Sequence, residues 1–434
     1  MSHIIETSIE LLKRFPLCNS CLGRQFSRLY PLLSNSELGR IIKILILLEV
    51  IHEFKVSKKR GSFLSDMRML IKNGGLQEAL LLYKHYVKKS SIRPEKCILC
   101  KGFFGELDKE ASRIVEALKE YDFNSFLVGC HVNPRIEQLE DEIKSKYGLR
   151  WGENIRFEVD RELASRLSQI LNLPLDRKRP DIVAVIDLES REIEITVNSL
   201  FIKGRYRKLE RGIAQTRTTW RGEPIDSIES MIASIVLNFT GGSDTRFHGA
   251  GREDIDARML GPGRPFVLEI LSPRRRNIDL KKLEREINRR YARRIEVLNL
   301  QFASKKDVQR IKLMGERAKK TYRALIELEK EISDEEIQML QEKLSDVKIL
   351  QRTPLRVLHR RGDKLRQKHL YSSSFRRIGD TLLEAVFVCD AGLYVKELVS
   401  GDNERTIPSV SSILGQNAIC KELDVINIEY IRGV

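Results

Sequence analysis

The segment Gly249–Pro273, GAGREDIDARMLGPGRPFVLEILSP, places two carboxylates, Asp254 and Asp256, among three arginines, Arg252, Arg258 and Arg264. Glycine at the entry and a second Gly/Pro step at Gly261–Gly263 predict a sharply turned loop leading into an apolar strand over 266–271. A carboxylate ringed by guanidinium groups on a loop fixed to a rigid strand stays ionised and is suited to nucleophilic or charge-stabilising work. The alternative is a solvated, charge-paired loop. A second constellation is the pair of CxxC motifs, Cys18/Cys21 and Cys97/Cys100. Four thiolates in two such pairs suit one tetrahedral ion, and structural zinc is the expected metal, ahead of redox dithiols. Their wide separation requires an intervening helical module to bring the halves together. The other cysteines, Cys130, Cys389 and Cys420, are scattered, which disfavours a disulfide framework.

Other chemistries lack their motifs. The chain has no GxxxxGK[ST] loop and no HExxH, and its seven histidines are dispersed. The GPG step precedes a strand, so it is no dinucleotide cradle. An enzyme built from these residues would use carboxylate, cationic and aromatic groups, with no nucleotide or organic cofactor.

Composition narrows the partner. The 434 residues carry 77 Lys+Arg against 61 Asp+Glu, a formal net charge of +16. That imbalance points to a polyanion, nucleic acid first. The most apolar run, Ile41–Ile51, is short and interrupted by Lys43 and Glu49, so no membrane span is expected. The N-terminus lacks signal-peptide features, and a cytoplasmic protein with no obligatory protein partner is expected.

The elements that must position these groups fall into blocks. Residues 1–104 read as a helical, zinc-bearing part, with helices over 36–54 and 76–88 and a flexible basic piece at 57–63. Residues 105–204 alternate helix and strand: helices at 107–121, 135–146 and 159–171, strands at 125–132, 181–187 and 192–202. Residues 205–224, with Tyr206 and Trp220 among cations, read as a basic linker that could also touch RNA. Residues 225–434 read as an α+β domain with a largely antiparallel sheet. Its expected helices lie at 280–291, 307–313 and 334–344, after one ending at Phe239. Its expected strands include 295–302, 347–352, 387–397 and 423–429. Two basic loops, Arg274–Arg276 and His359–His369, are expected RNA clamps.

Longer motifs add a resemblance. The run from Arg179 to Leu209 resembles a THUMP domain, an RNA-binding module of tRNA-modifying enzymes. GREDIDARMLGPGRPFVLEI, AKKTYRALI (318–326), QRTPLRVLHRR (351–361), GLYVKELVSGD (392–402) and LDVINIEYI (423–431), with PLCNSCLGRQF (16–26) and the second CxxC, resemble the archaeal and eukaryotic tRNA pseudouridine synthase family that modifies T-loop uridines 54 and 55. Ala214, where that family would have proline, departs from the pattern outside the catalytic motifs. The resemblance implies an α+β pseudouridine synthase domain behind a zinc-bearing, THUMP-containing part, and the T-arm of tRNA as partner. It implies Asp254 in GRED as the reacting carboxylate, with Asp256 as fallback, and Tyr322 stacking on the base. Lys396 would form a salt bridge to the catalytic aspartate, with Tyr394 sharing its strand face. Leu423 would close the uracil pocket, and Arg252 and Arg258 are read as further substrate contacts. Rival readings are another THUMP-bearing enzyme, a methyltransferase or thiouridine synthetase, and a non-catalytic RNA-binding protein.

Overall fold

The computed structural model describes residues 3–87, 91–220, 222–316 and 318–430, without the side chains of Trp220, Glu316 and Arg360. The expected end of the second helix at Lys88 and the Trp220 ring lie outside the described residues. The chain forms two compact units, Met1–Asn198 and Ser199–Val434.

In the first unit the long helix Asn35–Ser57 begins at a reciprocal cap. Ser34 Oγ accepts from the Glu37 amide at 3.2 Å and a Glu37 carboxylate oxygen accepts from the Ser34 amide at 2.9 Å. It ends where Lys58 turns left-handed. The basic piece after it is not flexible loop, because Arg60–Lys72 is a helix that buries Phe63 and Met67. The short helix Asn19–Gly23 packs backbone to backbone on Asn35–Ser57. A Cβ on Gly23 would lie 1.9 Å from the Asn35 carbonyl oxygen, and one on Gly39 would lie 1.9 Å from that of Asn19. This close approach fixes the first CxxC. A three-stranded sheet pairs Phe126–His131 in parallel with Ile182–Asp187, which pairs antiparallel with Ile193–Val197. Helices Pro134–Tyr147 and Ile155–Leu171 belong to the same unit. One apolar core runs from Leu11 to Leu188, so residues 1–104 and the strands that follow are packed as one body. Fully buried Arg24 ties them, with Nε 2.8 Å from Glu140 Oε1 and Nη1 2.6 Å from Glu158 Oε2.

The second unit is built on a ten-stranded, mostly antiparallel sheet. Its order is Thr406–Ile407, Val347–Arg352, Leu365–Gly379, Leu382–Asp390, Lys319–Leu328, Ala418–Glu429, Arg258–Leu271, Leu200–Lys208 and Ile295–Ala303, with Asp244–Gly249 also on Arg258–Leu271. The stretch expected as a linker is therefore part of this unit. Leu200–Lys208 pairs with Arg258–Leu271 and Ile295–Ala303, burying Ile202 and Tyr206, and the single strand expected over 192–202 divides between the two units.

Two halves of the sheet meet at a short parallel seam, where Asp424 faces Arg258 and Val425 faces Met259. Gly261, at φ +59°, lets the backbones close there, since a Cβ would sit 1.9 Å from the Ile426 carbonyl oxygen. The Gly/Pro step is thus a kink inside one long strand, not a turn before it. The strand expected over 387–397 ends at Asp390, and Val395–Ser400 is a helix that buries Val395, Leu398 and Val399.

Candidate active site and metal centre

The loop 250–257 is held from beneath by a buried polar network. Lys208 Nζ donates to the carbonyls of Ile213, Asp254 and Ile255 at 2.8, 2.9 and 3.0 Å. Burial pushes its pKa down to about 8. Glu253 turns inward, accepting from Tyr206 Oη at 2.9 Å and Arg264 Nε at 2.8 Å. Gln215 donates to Tyr206 Oη and the Gly251 carbonyl, both at 2.8 Å. With every inward group satisfied, the loop is rigid and presents Asp254 outward.

Asp254 lines a cleft of about 550 Å³ together with Arg252, Lys320, Tyr322, Arg356, Arg361, Arg366, Lys368, Tyr394, Lys396, Leu423 and Val425. The sequence-predicted Asp254, Arg252, Tyr322, Tyr394, Lys396 and Leu423 thus converge. Tyr322 is also part of the apolar core, so the polar neighbours of KKTYR do not keep it out. Strand alternation sends Lys320 and Tyr322 to the cleft, while Arg323 turns away. Burial raises the Tyr322 phenol well above its ordinary value, so it is neutral in the working range.

Three expectations are corrected. Lys396 pairs with Asp256, not Asp254. Burial draws the Asp256 pKa up, but the Lys396 ammonium outweighs it and the net shift is downward. The partner of Asp254 is Arg356, whose Nη2 lies 3.0 Å from Asp254 Oδ2 while its Nε binds buried Glu397 at 2.6 Å. Tyr394 does not share a strand face with Lys396. It precedes the helix, held by Gln351 on its backbone amide and carbonyl, and its hydroxyl accepts from Arg361 at 2.7 Å. Arg258 is not a lining residue. It binds Asp424 through Nε and Nη2, both at 2.8 Å, beside Arg211 and Arg323. Burial opposes ionisation of Asp424, but three guanidinium groups hold its pKa near 2. This cluster clamps the seam.

Arg356, Glu397 and Lys320 were not singled out by sequence reasoning. Arg356 sits in QRTPLRVLHRR, where four arginines give no reason to prefer one. Lys320 is two residues before Tyr322, and a strand over AKKTYRALI would have put both on one face. Of the expected clamps, Arg276 is buried, and Leu365 onward in the second is strand.

In the first unit the Sγ atoms of Cys18, Cys21, Cys97 and Cys100 all lie within 4.8 Å of one another, with Cys18 and Cys100 at 3.6 Å. A tetrahedral ion with metal–sulfur bonds of about 2.3 Å needs sulfurs about 3.8 Å apart, so the cluster fits a metal-binding site.

The family described as "Pus10, C-terminal" matches residues 201–429, and "Pus10 THUMP domain, archaeal" matches residues 111–187. A tRNA pseudouridine synthase Pus10 from Methanocaldococcus jannaschii is 43% identical, over 96% of this chain and 93% of its own. The chain belongs to the Pus10 family. Pus10 proteins of Thermofilum pendens and Pyrococcus furiosus are 38% and 37% identical, covering 96% and 98% of this chain and 94% and 98% of theirs. The Pus10 family is one of enzymes, RNA pseudouridine synthases of the isomerase class. No helix among the described residues is long and apolar enough to cross a membrane.

Proposed function

We infer that this chain isomerises uridine to pseudouridine in the T-loop of tRNA, at position 54, 55 or both, with Asp254 as the reacting carboxylate. The observation that carries this reading is the meeting of Asp254, Tyr322 and Leu423 in one cationic cleft, with Asp254 held by a guanidinium. The reaction breaks N1–C1′ of the target uridine, turns the uracil and joins C5 to C1′. Because the base is both leaving group and returning nucleophile, no external energy source is required. An ionised carboxylate attacks or stabilises the electron-poor centre. Arg356 orients Asp254, Tyr322 supplies a flat face for the flipped base, and Leu423 bounds the pocket. Rim cations such as Arg252 and Arg361 suit the phosphates of the T-arm.

Cys18, Cys21, Cys97 and Cys100 would hold zinc, which would contribute folding stability and no step of the reaction. A tRNA-modifying role supports a cytoplasmic setting. The test is purified protein with an unmodified tRNA transcript, mapping pseudouridine by carbodiimide-based primer extension. Wild type is expected to mark the T-loop. Asp254→Asn is expected to bind the transcript within about threefold of wild type and to form no product, since it keeps the shape and loses the charge. Product from Asp254→Asn would transfer the role to Asp256 or refute a carboxylate reaction.

A further inference from the structure

Among the described residues, Lys320 is the buried cation of the cleft that no hydrogen bond or ion pair holds. It is only 5% exposed, yet it lines the cleft two residues from Tyr322 on the same face of the strand Lys319–Leu328. Among the described residues no carboxylate or carbonyl accepts a hydrogen bond from its ammonium group. A Cβ built on Gly251 would lie 3.3 Å from Lys320 Nζ, so the ammonium sits against the loop that carries Asp254. Of the other cleft cations, Arg356 is held by Asp254 and Glu397, Lys396 by Asp256, Lys368 by the Ala391 carbonyl at 2.7 Å, Arg361 by Tyr394 and Arg366 by Thr353 Oγ1 at 3.0 Å, while Arg252 is exposed at the rim. A buried, unpaired ammonium is unfavourable unless an acceptor arrives. Its depth beside Tyr322 selects the flipped base, since phosphates meet the exposed arginines first.

We propose that Lys320 is a catalytic residue that donates to an exocyclic oxygen of the target uracil and offsets the charge the base carries while detached from ribose. This rests on the pseudouridine synthase reading above. When N1–C1′ breaks, the bonding pair leaves with the uracil, making it a monoanion whose charge spreads over O2 and O4. Turning the ring about the N3–C6 axis brings C5 to C1′ and exchanges the places of O2 and O4. A fixed ammonium therefore meets a carbonyl oxygen before and after the turn. The C5–C1′ bond then forms from the ring's electrons, the C5 proton is lost, and N1 takes up a proton from solvent.

The groups facing Lys320 are Arg264 from the strand 258–271, Glu253 from the loop, Cys389 from 382–390 and Lys368 from 365–379. Burial, reinforced by Arg264, pushes the Lys320 pKa down to about 7. Cys389 and Glu253 oppose that shift and Lys368 adds to it. If the ammonium must be charged to act, wild-type turnover per free enzyme falls as pH rises above about 7.

The experiment is single-turnover conversion of unmodified tRNA transcript by wild type and Lys320→Met, with transcript Kd and Tm measured alongside. Met matches the length of Lys and removes a buried unpaired charge, so Tm is expected to hold or rise. The chemical rate is expected to fall roughly 10²-fold, the cost of losing one donor to a developing anion, with Kd within about threefold. The alkaline fall in wild-type rate is expected to vanish in Lys320→Met. A variant rate within threefold of wild type, a flat wild-type profile from pH 6 to 9, or a loss matched by weaker Kd would each overturn the assignment. A wild type that forms no pseudouridine would overturn both readings, whereas an active wild type with an equally active Lys320→Met overturns this one alone.

Discussion

Removing Arg356 separates folding from catalysis in one side chain. Its guanidinium spans two carboxylates, half-exposed Asp254 at 3.0 Å and Glu397 at 2.6 Å, the latter with a side chain only 5% exposed. Arg356→Met leaves Glu397 without its counter-charge in a buried place. Breaking a fully buried pair costs about 3–5 kcal/mol, and because the Arg356 side chain is 37% exposed, about 2 kcal/mol is expected here. For a unit of this size that is a drop of roughly 6 °C in Tm. Asp254 also loses the group that sets its rotamer. A misplacement of about 1 Å in a reacting carboxylate costs roughly 10²-fold in rate. The double variant Arg356→Met/Glu397→Gln removes the orphaned charge, so Tm should recover while the rate stays low. Arg356→Lys should retain charge but not the two-carboxylate fork, and so fall between. Single-turnover rates, transcript Kd and thermal melts on the four proteins decide it. A double variant that regains wild-type rate, or an Arg356→Met rate within threefold of wild type, would refute the orienting role of Arg356.

Further outcomes follow from other parts of the molecule. Asp256→Asn should lose no more than about tenfold in rate, since its charge acts on Lys396 and not on the reacting centre, and the primer-extension assay ranks it against Asp254→Asn. Elemental analysis should find one zinc per chain, and chelation or Cys97→Ser should lower the Tm of the first unit before activity of any surviving folded enzyme changes. Asp424 has its folded pKa depressed to about 2 against an unfolded value near 4. Its contribution of about 2 kcal/mol is complete above pH 4 and is lost as pH falls from about 4 to 2. Denaturant melts across that window should show the loss in wild type and a flatter profile in Asp424→Asn.

Much of the site was legible because its residues are chemically distinctive and lie in strands or loops whose period can be read. Asp254, Tyr322 and Leu423 each sit in a motif long enough to name, and the two CxxC pairs announce the four-sulfur cluster they form. The pairings were not legible, because they depend on register between distant segments. Nothing local to Lys396 says that Asp256 rather than Asp254 lies opposite, and nothing in QRTPLRVLHRR says that Arg356 reaches across to the aspartate loop. The 205–224 stretch misled for a different reason. Its charges look solvated, yet Lys208 and Gln215 are buried and spent on backbone and side-chain acceptors of the loop above. GLYVKEL carries the alternation of a strand, but tertiary packing of Val395, Leu398 and Val399 favours one turn and a half of helix.

The seam between Asp424 and Arg258 joins positions 166 residues apart in the chain. Tyr322 and Leu423 stand on one side of it and the Asp254 loop on the other, so neither half alone contains a working set of groups. Closing so long a connection is slow and comes late in folding, after the local hairpins have formed. Catalytic competence therefore appears only on completion of the unit, and a nascent or partly opened chain that still grips RNA leaves its uridines untouched.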